Sequence, residues 1–429
     1  MCDTLLAAAS ETTDGTVVFG KNSDRKDGEA QPFLQFPAAS HPPGSTVRCT
    51  HVAVPQVSET YAVMGHSPWW VWGFEHGVNE HRVAIGNLTV FSREPVEEQP
   101  GLIGMDLVRL GLERGRTARE ALEVIAALLE THGQGGAALA PGASGYHNAF
   151  ALADPAECWL LETSGRHWAA RRVTLDSHSN HIAIGDDWDI GCRTLEDFAR
   201  ASGWWQRTGR IDVARAYRNP GVPGRISEGR LRRARELLMR KSGRIDVSTM
   251  QAILRDHLEG GPVRLAGTTP DEEPYFTLCM HSEPIGTTTA SLVAALGPGE
   301  GTPWPVWISF GTPCTAVFLP VYVDGVVPDV LARGKEEPEP DSAWWCFKRL
   351  QDAAAPDFAA RTPLVREGWA PFEARIERER ARVERAAGDA RRQGRVEDAA
   401  DLLTDFMART TGEAVRLAGE LAERIERRA

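Results

Sequence analysis

The order of predicted elements makes this an α+β chain: strands, helices, strands, helices, strands, then a helical tail. Three observations carry that prediction. Strand-like runs dominate from Asp3 to Asn87. Two helical stretches, about 105–132 and about 190–260, separate blocks of strands without alternating with them one for one. From about Gly334 the composition shifts to Ala, Arg and Glu. Runs of one element type argue against a doubly wound parallel sheet.

Asp3–Ser10 and Gly15–Lys21 flank the turn signal Thr13-Asp14-Gly15 and are predicted to form a hairpin. Further strand-like runs lie at Cys49–Pro55, Thr60–Met64 and Arg82–Asn87. The period then changes. Met105–Gly115 and Thr117–His132 have helical spacing; Thr117 with Glu120 makes a capping box, and Gly133 is the stop. After a Gly/Ala/Pro loop, strands resume at Asn148–Asp154, Glu157–Thr163, Trp168–Thr174 and His181–Gly185. Arg230–Arg240 and Ser248–Glu259 read as helices, the second with a capping box from Ser248 to Gln251. Strands return at Tyr275–His281, Thr288–Ala295, Pro305–Phe310 and Thr315–Val323. Lys335–Pro340 is a charged, Pro-containing linker. Beyond it, Leu417, Leu421 and Ile425 share one helical face. Residues 371–429 carry 13 acids and 13 Arg, so the tail is neutral. It reads as a helical appendage that packs on the core or on a second copy in a homo-oligomer.

Composition narrows the function. The 429 residues hold 48 Lys plus Arg against 59 Asp plus Glu, a net charge of −11. A nucleic-acid or anionic-membrane partner needs a basic face, so neither is expected. No run approaches a membrane span, and the N-terminus lacks a basic region ahead of a long apolar one. The chain reads as cytoplasmic. The seven cysteines are odd in number and no pair has CxxC spacing, which argues against a disulfide framework or a structural zinc site. His76 and His81 lie five apart with no HExxH pattern, so no metal is expected there either.

Cys2 stands out by position. A small residue after the initiator lets a methionine aminopeptidase remove Met1, leaving a thiol and a free α-amine on one residue. That amine has an ordinary pKa of about 7.7–8.0. It can take the thiol proton directly or through a water, so nucleophile and general base are one residue.

The residues around Cys2 resemble a known family. The opening Cys2-Asp3-Thr4, the Gly20-Lys21-Asn22-Ser23-Asp24-Arg25 run and Glu29-Ala30-Gln31 are similar to the dipeptidase/secernin branch of the C69 peptidases, N-terminal-nucleophile hydrolases related to the choloylglycine and penicillin V amidases. So are Trp69-Trp70-Val71-Trp72-Gly73, Gly77-Val78-Asn79-Glu80-His81 and Tyr146-His147-Asn148-Ala149-Phe150. Later matches are Ser309-Phe310-Gly311-Thr312-Pro313-Cys314 and Ser342-Ala343-Trp344-Trp345. The resemblance implies an αββα four-layer sandwich over residues 2–333, with 334–429 as a helical, charge-rich extension. It implies a cysteine amide hydrolase that forms a Cys2 thioester and needs no cofactor, with dipeptides as first substrate. Amidase or acyltransferase chemistry on another small amide, and a non-catalytic secernin-like binding role, stay open.

The resemblance also implies roles. Asp24, taken as lying just past the end of its strand, matches an amidase Asp that orients the nucleophile's amine and thiol. Asn87, taken as a strand end, matches an oxyanion-hole Asn; an amide N–H stabilises developing charge without competing for protons. Asn180 matches a second Asn near the nucleophile, and Arg230 an Arg that approaches the Cys. Lys21 stands where bile-salt hydrolases have Arg; a cation there favours thiolate, although it lacks the bidentate fork of Arg. His147 and Asn148 are open to two readings, substrate contacts or strand residues satisfied by hydrogen bonds. Trp70 and Trp72 either wall a substrate pocket or belong to the core.

Overall fold

The computed structural model describes residues 1–429 except 98, 144, 259–275, 298, 300 and 428–429. Two antiparallel sheets lie face to face. In the first, the order is Leu175–His178, Cys2–Ala7, Val17–Arg25, Gly286–Leu296, Val306–Phe310 and Leu319–Val321, with His281–Ser282 also paired to Gly286–Leu296. In the second, the order is Ile190–Gly191, His167–Val173, Cys158–Ser164, His147–Ala153, Ala84–Val90, His76–Asn79, Val63–His66 and Phe33–Phe36.

Both faces of each sheet are covered, which is why the strands read as near-continuous apolar runs. Side chains still alternate. Leu6, Phe19 and Leu292 meet Met64, Ala84 and Ala151 between the sheets. Leu5, Val18 and Val293 face outward onto Leu238, Met250 and Leu254 of the helices Glu228–Met239 and Val247–Leu254. Across the molecule, Ile85, Phe150 and Leu161 face Leu107, Leu122 and Ile125 of the helices Gly104–Arg114 and Ala118–His132. The result is helix, sheet, sheet, helix.

Three helices follow: Ala343–Ala354, Phe358–Arg392 and Val396–Glu426. They pack on one another and extend the inter-sheet core with Trp344, Trp369, Phe372, Phe406 and Met407. Among the described residues no helix is long and apolar enough to cross a membrane.

Several predicted boundaries move. The first hairpin is not tight: a short 3-10 turn, Ala9–Glu11, and Gly15 at φ 75° lie between its strands. Its second strand runs to Arg25, so Asp24 is inside it. Asn87 is mid-strand in Ala84–Val90 rather than at an end. The helix expected from Ser248 starts at Val247, because Asp246 takes the cap by accepting from Thr249 N–H. His181–Gly185 is not a strand. The N–H groups of Ala183 and Ile184 donate to the Glu162 carboxylate instead of to a neighbouring strand. Glu259 and Tyr275, ends of two predicted elements, lie outside the described residues.

Candidate active site

Cys2 opens the strand Cys2–Ala7, second from the edge of the first sheet, opposite Ser23. Alternation sends its side chain into the space between the sheets, against Leu88, Val90 and Ala149 of the second. Lys21, opposite Thr4, shares that face and lies diagonal to Cys2. Its Nζ stands 3.6 Å from Cys2 Sγ and 3.2 Å from Glu75 Oε2. The lysine stem passes Gly86 of the facing sheet, where any Cβ would overlap Lys21 Cδ.

Glu75 is the centre of the charge network. Its Oε2 lies 3.9 Å from Cys2 Sγ, and its Oε1 accepts from Arg25 Nη1 at 3.1 Å. Arg25 also forks onto Glu29 at 2.7 and 3.1 Å, and Trp70 Nε1 donates to Glu29 at 2.8 Å. Burial opposes the Glu75 charge, but Lys21 and then Arg25 overcome it and hold the carboxyl below its ordinary range. Burial raises the Cys2 thiol; Lys21 works against that, and Glu75 with it. Burying the two cations, Lys21 and Arg25, with two carboxylates, the shared Glu75 and Glu29, leaves no charge unpaired, which is the condition for keeping them in a dry interior.

Asn87 joins this network. With its amide turned so that both ends find partners, Nδ2 donates to Glu75 O at 2.9 Å and to Glu75 Oε2 at 3.0 Å. The opposite orientation aims Nδ2 at Asn148 Oδ1, 3.3 Å, and Met105 Sδ, 3.4 Å. Asn148 is itself tied down, Nδ2 donating to Gln134 Oε1 at 2.9 Å.

The backbone of Cys2 is held from the other side. Cys2 N–H donates to Asn180 Oδ1 at 2.9 Å. Arg230 donates to the same Oδ1 at 2.7 Å and to Cys2 O at 3.3 Å, and pairs with Asp3. Asp24, on the outward face, accepts from Thr288 Oγ1 at 2.7 Å and lies 3.8 Å from Arg230. Burial pushes the Asp24 carboxyl up to about 6, with the N-terminal ammonium pulling down and Asp3 pushing up.

The structure therefore brings Cys2, Lys21, Asn180 and Arg230 into direct contact, and Asn87 to them through Glu75. Asp24 does not reach the thiol, because even and odd residues of a strand face opposite ways. It sits beside the chain end: Met1 N donates to Asp24 O at 2.6 Å, and Asp24 N–H to Met1 O at 2.8 Å. Trp70 buttresses Glu29, and Trp72 stacks on Arg109 with the outer helix layer, 4.1 Å from ring centre to guanidinium. His147 is saturated. Gly165 N–H donates to its Nε2 at 3.2 Å, so Nδ1–H donates to Ser92 Oγ at 2.7 Å. Burial pushes its pKa down to about 4 despite Glu94 and Glu97, so it is neutral near pH 7.

Glu75 and Arg25 were not singled out from sequence. The available signal was slight, an acid between Phe74 and His76 in a stretch with few other charges; a buried acid needs a buried cation.

A cavity of about 500 Å³ opens over the chain end, lined by Met1, Thr89, Tyr146, His147, Phe276 and Ile285 among others. That size is ordinary for a small-molecule site. A larger one, about 750 Å³, lined by Arg82, Trp304 and Arg380, contains none of the residues above.

Comparison with known proteins bears on this arrangement. The model of peptidase family C69 matches residues 1–191. A dipeptidase of Bifidobacterium longum is 28% identical over 218 residues, 44% of this chain but only 38% of that protein. A probable dipeptidase A of Streptococcus pyogenes is 22% identical over 412 residues, 83% of each chain. Among solved structures, a mutant conjugated bile acid hydrolase from Clostridium perfringens superposes with a TM-score of 0.42 at 14% identity, covering 72% of this chain and 89% of that one. Penicillin V acylase from Agrobacterium tumefaciens gives 0.43 at 14% identity, over 75% and 86%.

Proposed function

Because the model of peptidase family C69 matches residues 1–191 of this chain, we propose that it is a member of that family, a cysteine N-terminal-nucleophile amide hydrolase whose substrates are dipeptides. One observation carries the reading: Cys2 Sγ lies beside a buried cation, 3.6 Å from Lys21 Nζ, while its own backbone nitrogen is held at 2.9 Å by Asn180. Removal of Met1 turns that nitrogen into an amine attached to the nucleophile's own Cα. The cavity that Met1 lines then gains the space Met1 occupied.

The amine takes the thiol proton, and Sγ attacks the substrate carbonyl carbon. Negative charge develops on the carbonyl oxygen, where Asn87 Nδ2, swung off Glu75, and a backbone N–H are the donors. The C–N bond breaks as the α-ammonium returns its proton to the leaving amine, leaving a thioester on Cys2. Water then attacks with the amine again as base, releasing the acid and regenerating the thiol. Asn180 and Arg230 fix the amine and carbonyl of Cys2 but touch no substrate. The cavity wall includes Glu94 and Arg225, charges of opposite sign that suit the ammonium and carboxylate of a dipeptide.

The test is a dipeptide panel with wild type and Cys2→Ala. The reading expects hydrolysis by the first and none above background by the second. Equal hydrolysis by both would remove it, and cleavage of no dipeptide by Met1-free wild type would remove the dipeptide assignment.

A further inference from the structure

Away from the Cys2 thiol, His257, Cys279, His281 and Cys314 converge. One donor atom from each lies within 4.8 Å of all the others. His281 Nε2 is 3.3 Å from His257 Nε2, 3.6 Å from Cys279 Sγ and 3.4 Å from Cys314 Sγ. A tetrahedral zinc ion has Zn–N bonds of about 2.05 Å and Zn–S bonds of about 2.3 Å. Its ligands are therefore spaced about 3.3 Å from N to N and about 3.5 Å from N to S. The spacings around His281 are those of ligands already gathered for such an ion. Three of the four residues are buried and His281 is half-buried.

We propose that His257, Cys279, His281 and Cys314 bind one zinc ion in a closed, tetrahedral, structural site. Two thiolates and two imidazoles are a borderline-soft set that selects zinc over magnesium or calcium. Four protein ligands leave no open position for substrate, so the ion staples rather than catalyses. On binding, each thiol loses a proton to solvent, two protons per ion, and the two thiolates neutralise the dication. A neutral complex is what a buried site requires.

The segments it would join are distant in sequence and meet here through hydrogen bonds such as Cys279 N–H to Asp256 O at 3.1 Å and Arg255 Nε to Pro313 O at 2.8 Å. His257 follows the helix Val247–Leu254; Cys279 and His281 lead into the edge strand His281–Ser282; Cys314 sits in the connection after Val306–Phe310. Phe358, first residue of the long C-terminal helix, covers the cluster. Its ring lies 4.7 Å from His281 and 5.4 Å from His257, and it packs on both cysteines. The staple also reaches the Cys2 site. Met280, between two ligands, donates from N–H to Thr288 Oγ1 at 2.9 Å, and that hydroxyl donates to Asp24 at 2.7 Å. Local CxxC spacing carries no trace of this site. Here the ligands come from positions 22, 2 and 33 residues apart along the chain.

The experiment is zinc content by mass spectrometry on the full chain purified without a polyhistidine tag, equilibrated with zinc and freed of excess, together with the absorption spectrum after cobalt replacement. The proposal expects about one zinc per chain, a thiolate-to-cobalt charge-transfer band, and the intense visible bands of tetrahedral cobalt. Cys279→Ser and Cys314→Ser should each lose most of the metal and the charge-transfer band, while Cys346→Ser keeps both. Wild type that retains no zinc, or lacks the charge-transfer band, overturns the proposal. So does an intact mass lacking two hydrogens, with a Cys279–Cys314 disulfide mapped by peptide analysis. The wild-type readouts decide the matter even if the serine variants do not fold, and none depends on dipeptide cleavage.

Discussion

Replacing Lys21 with Met removes the buried cation in contact with the Cys2 thiol while keeping most of the buried volume. Lys21 Nζ is 3.6 Å from Sγ. At an effective dielectric of about 20, a unit charge at that distance stabilises a thiolate by about 4–5 kcal/mol. Relaxation and water in the adjoining cavity reduce this, and about 2–4 kcal/mol in the barrier corresponds to a loss of about 30- to 1,000-fold in kcat/KM. The loss is compounded because Glu75, relieved of Lys21, still faces the thiol at 3.9 Å and opposes its ionisation. The sign follows directly. Burial already raises the thiol and Lys21 is the largest opposing influence, so the variant's thiolate forms only at higher pH. The assay is the rate of iodoacetamide alkylation of Cys2 against pH, beside dipeptide turnover. The alkylation profile should move to higher pH, and Lys21→Met/Glu75→Gln should recover part of the shift because both charges are then gone. An unshifted profile in the single variant, with native circular dichroism, would refute the electrostatic role assigned to Lys21.

Further expectations follow from the same contacts. Gly86→Ala should push Lys21 off its path and reproduce the slower alkylation at pH 7; wild-type alkylation would mean that the lysine has another route. Asn87→Ala should lower kcat by about 10²-fold with little change in KM, since an oxyanion donor acts in the transition state; a raised KM at constant kcat would make it a binding residue. The Asp24 carboxyl, raised to about 6, binds its proton more tightly folded than unfolded, so stability should fall as pH rises from about 4 to 6, by about 3 kcal/mol at most. Urea unfolding of Asp24→Asn should show a flatter pH dependence across that window, and an unchanged slope would contradict the shift. Since His147 is neutral well below pH 7, His147→Gln should leave the pH–rate limbs between pH 5 and 8 where they are.

Much of the fold was legible because the chain's runs of strands and helices are long. The Thr117 half of the capping box formed as read, its Oγ1 accepting from Glu120 N–H at 3.1 Å, while the Glu120 carboxylate reaches one residue further back and accepts from Arg116 N–H at 2.8 Å. What failed was decided by partners far away in sequence. Leu175–His178 is too polar to read as a strand, yet it pairs with Cys2–Ala7 at the sheet edge. The prolines at 363 and 371 suggest breaks, but packing of Val365, Trp369 and Phe372 on the core carries the helix Phe358–Arg392 through both. At the site, residues adjacent to Cys2 by pairing, such as Lys21, were readable. Glu75 was not, because its importance lies in the two cations that converge on it from another sheet. Asp24 was read on the thiol's side because the strand was ended too early; extending it to Arg25 turns the carboxylate outward. Similarly, Trp72 belongs to the outer layer with Arg109, which local alternation alone left undecided.

The central claim is that the free amine and thiol of one residue do the chemistry. Intact mass of the active protein, before and after reaction with a slowly deacylating thiol-reactive dipeptide analogue, tests it most directly. The account predicts a mass short by one methionine residue, then a gain of a single acyl group that peptide mapping assigns to Cys2. Full turnover by protein that demonstrably keeps Met1, or an acyl group on any other residue, would contradict it.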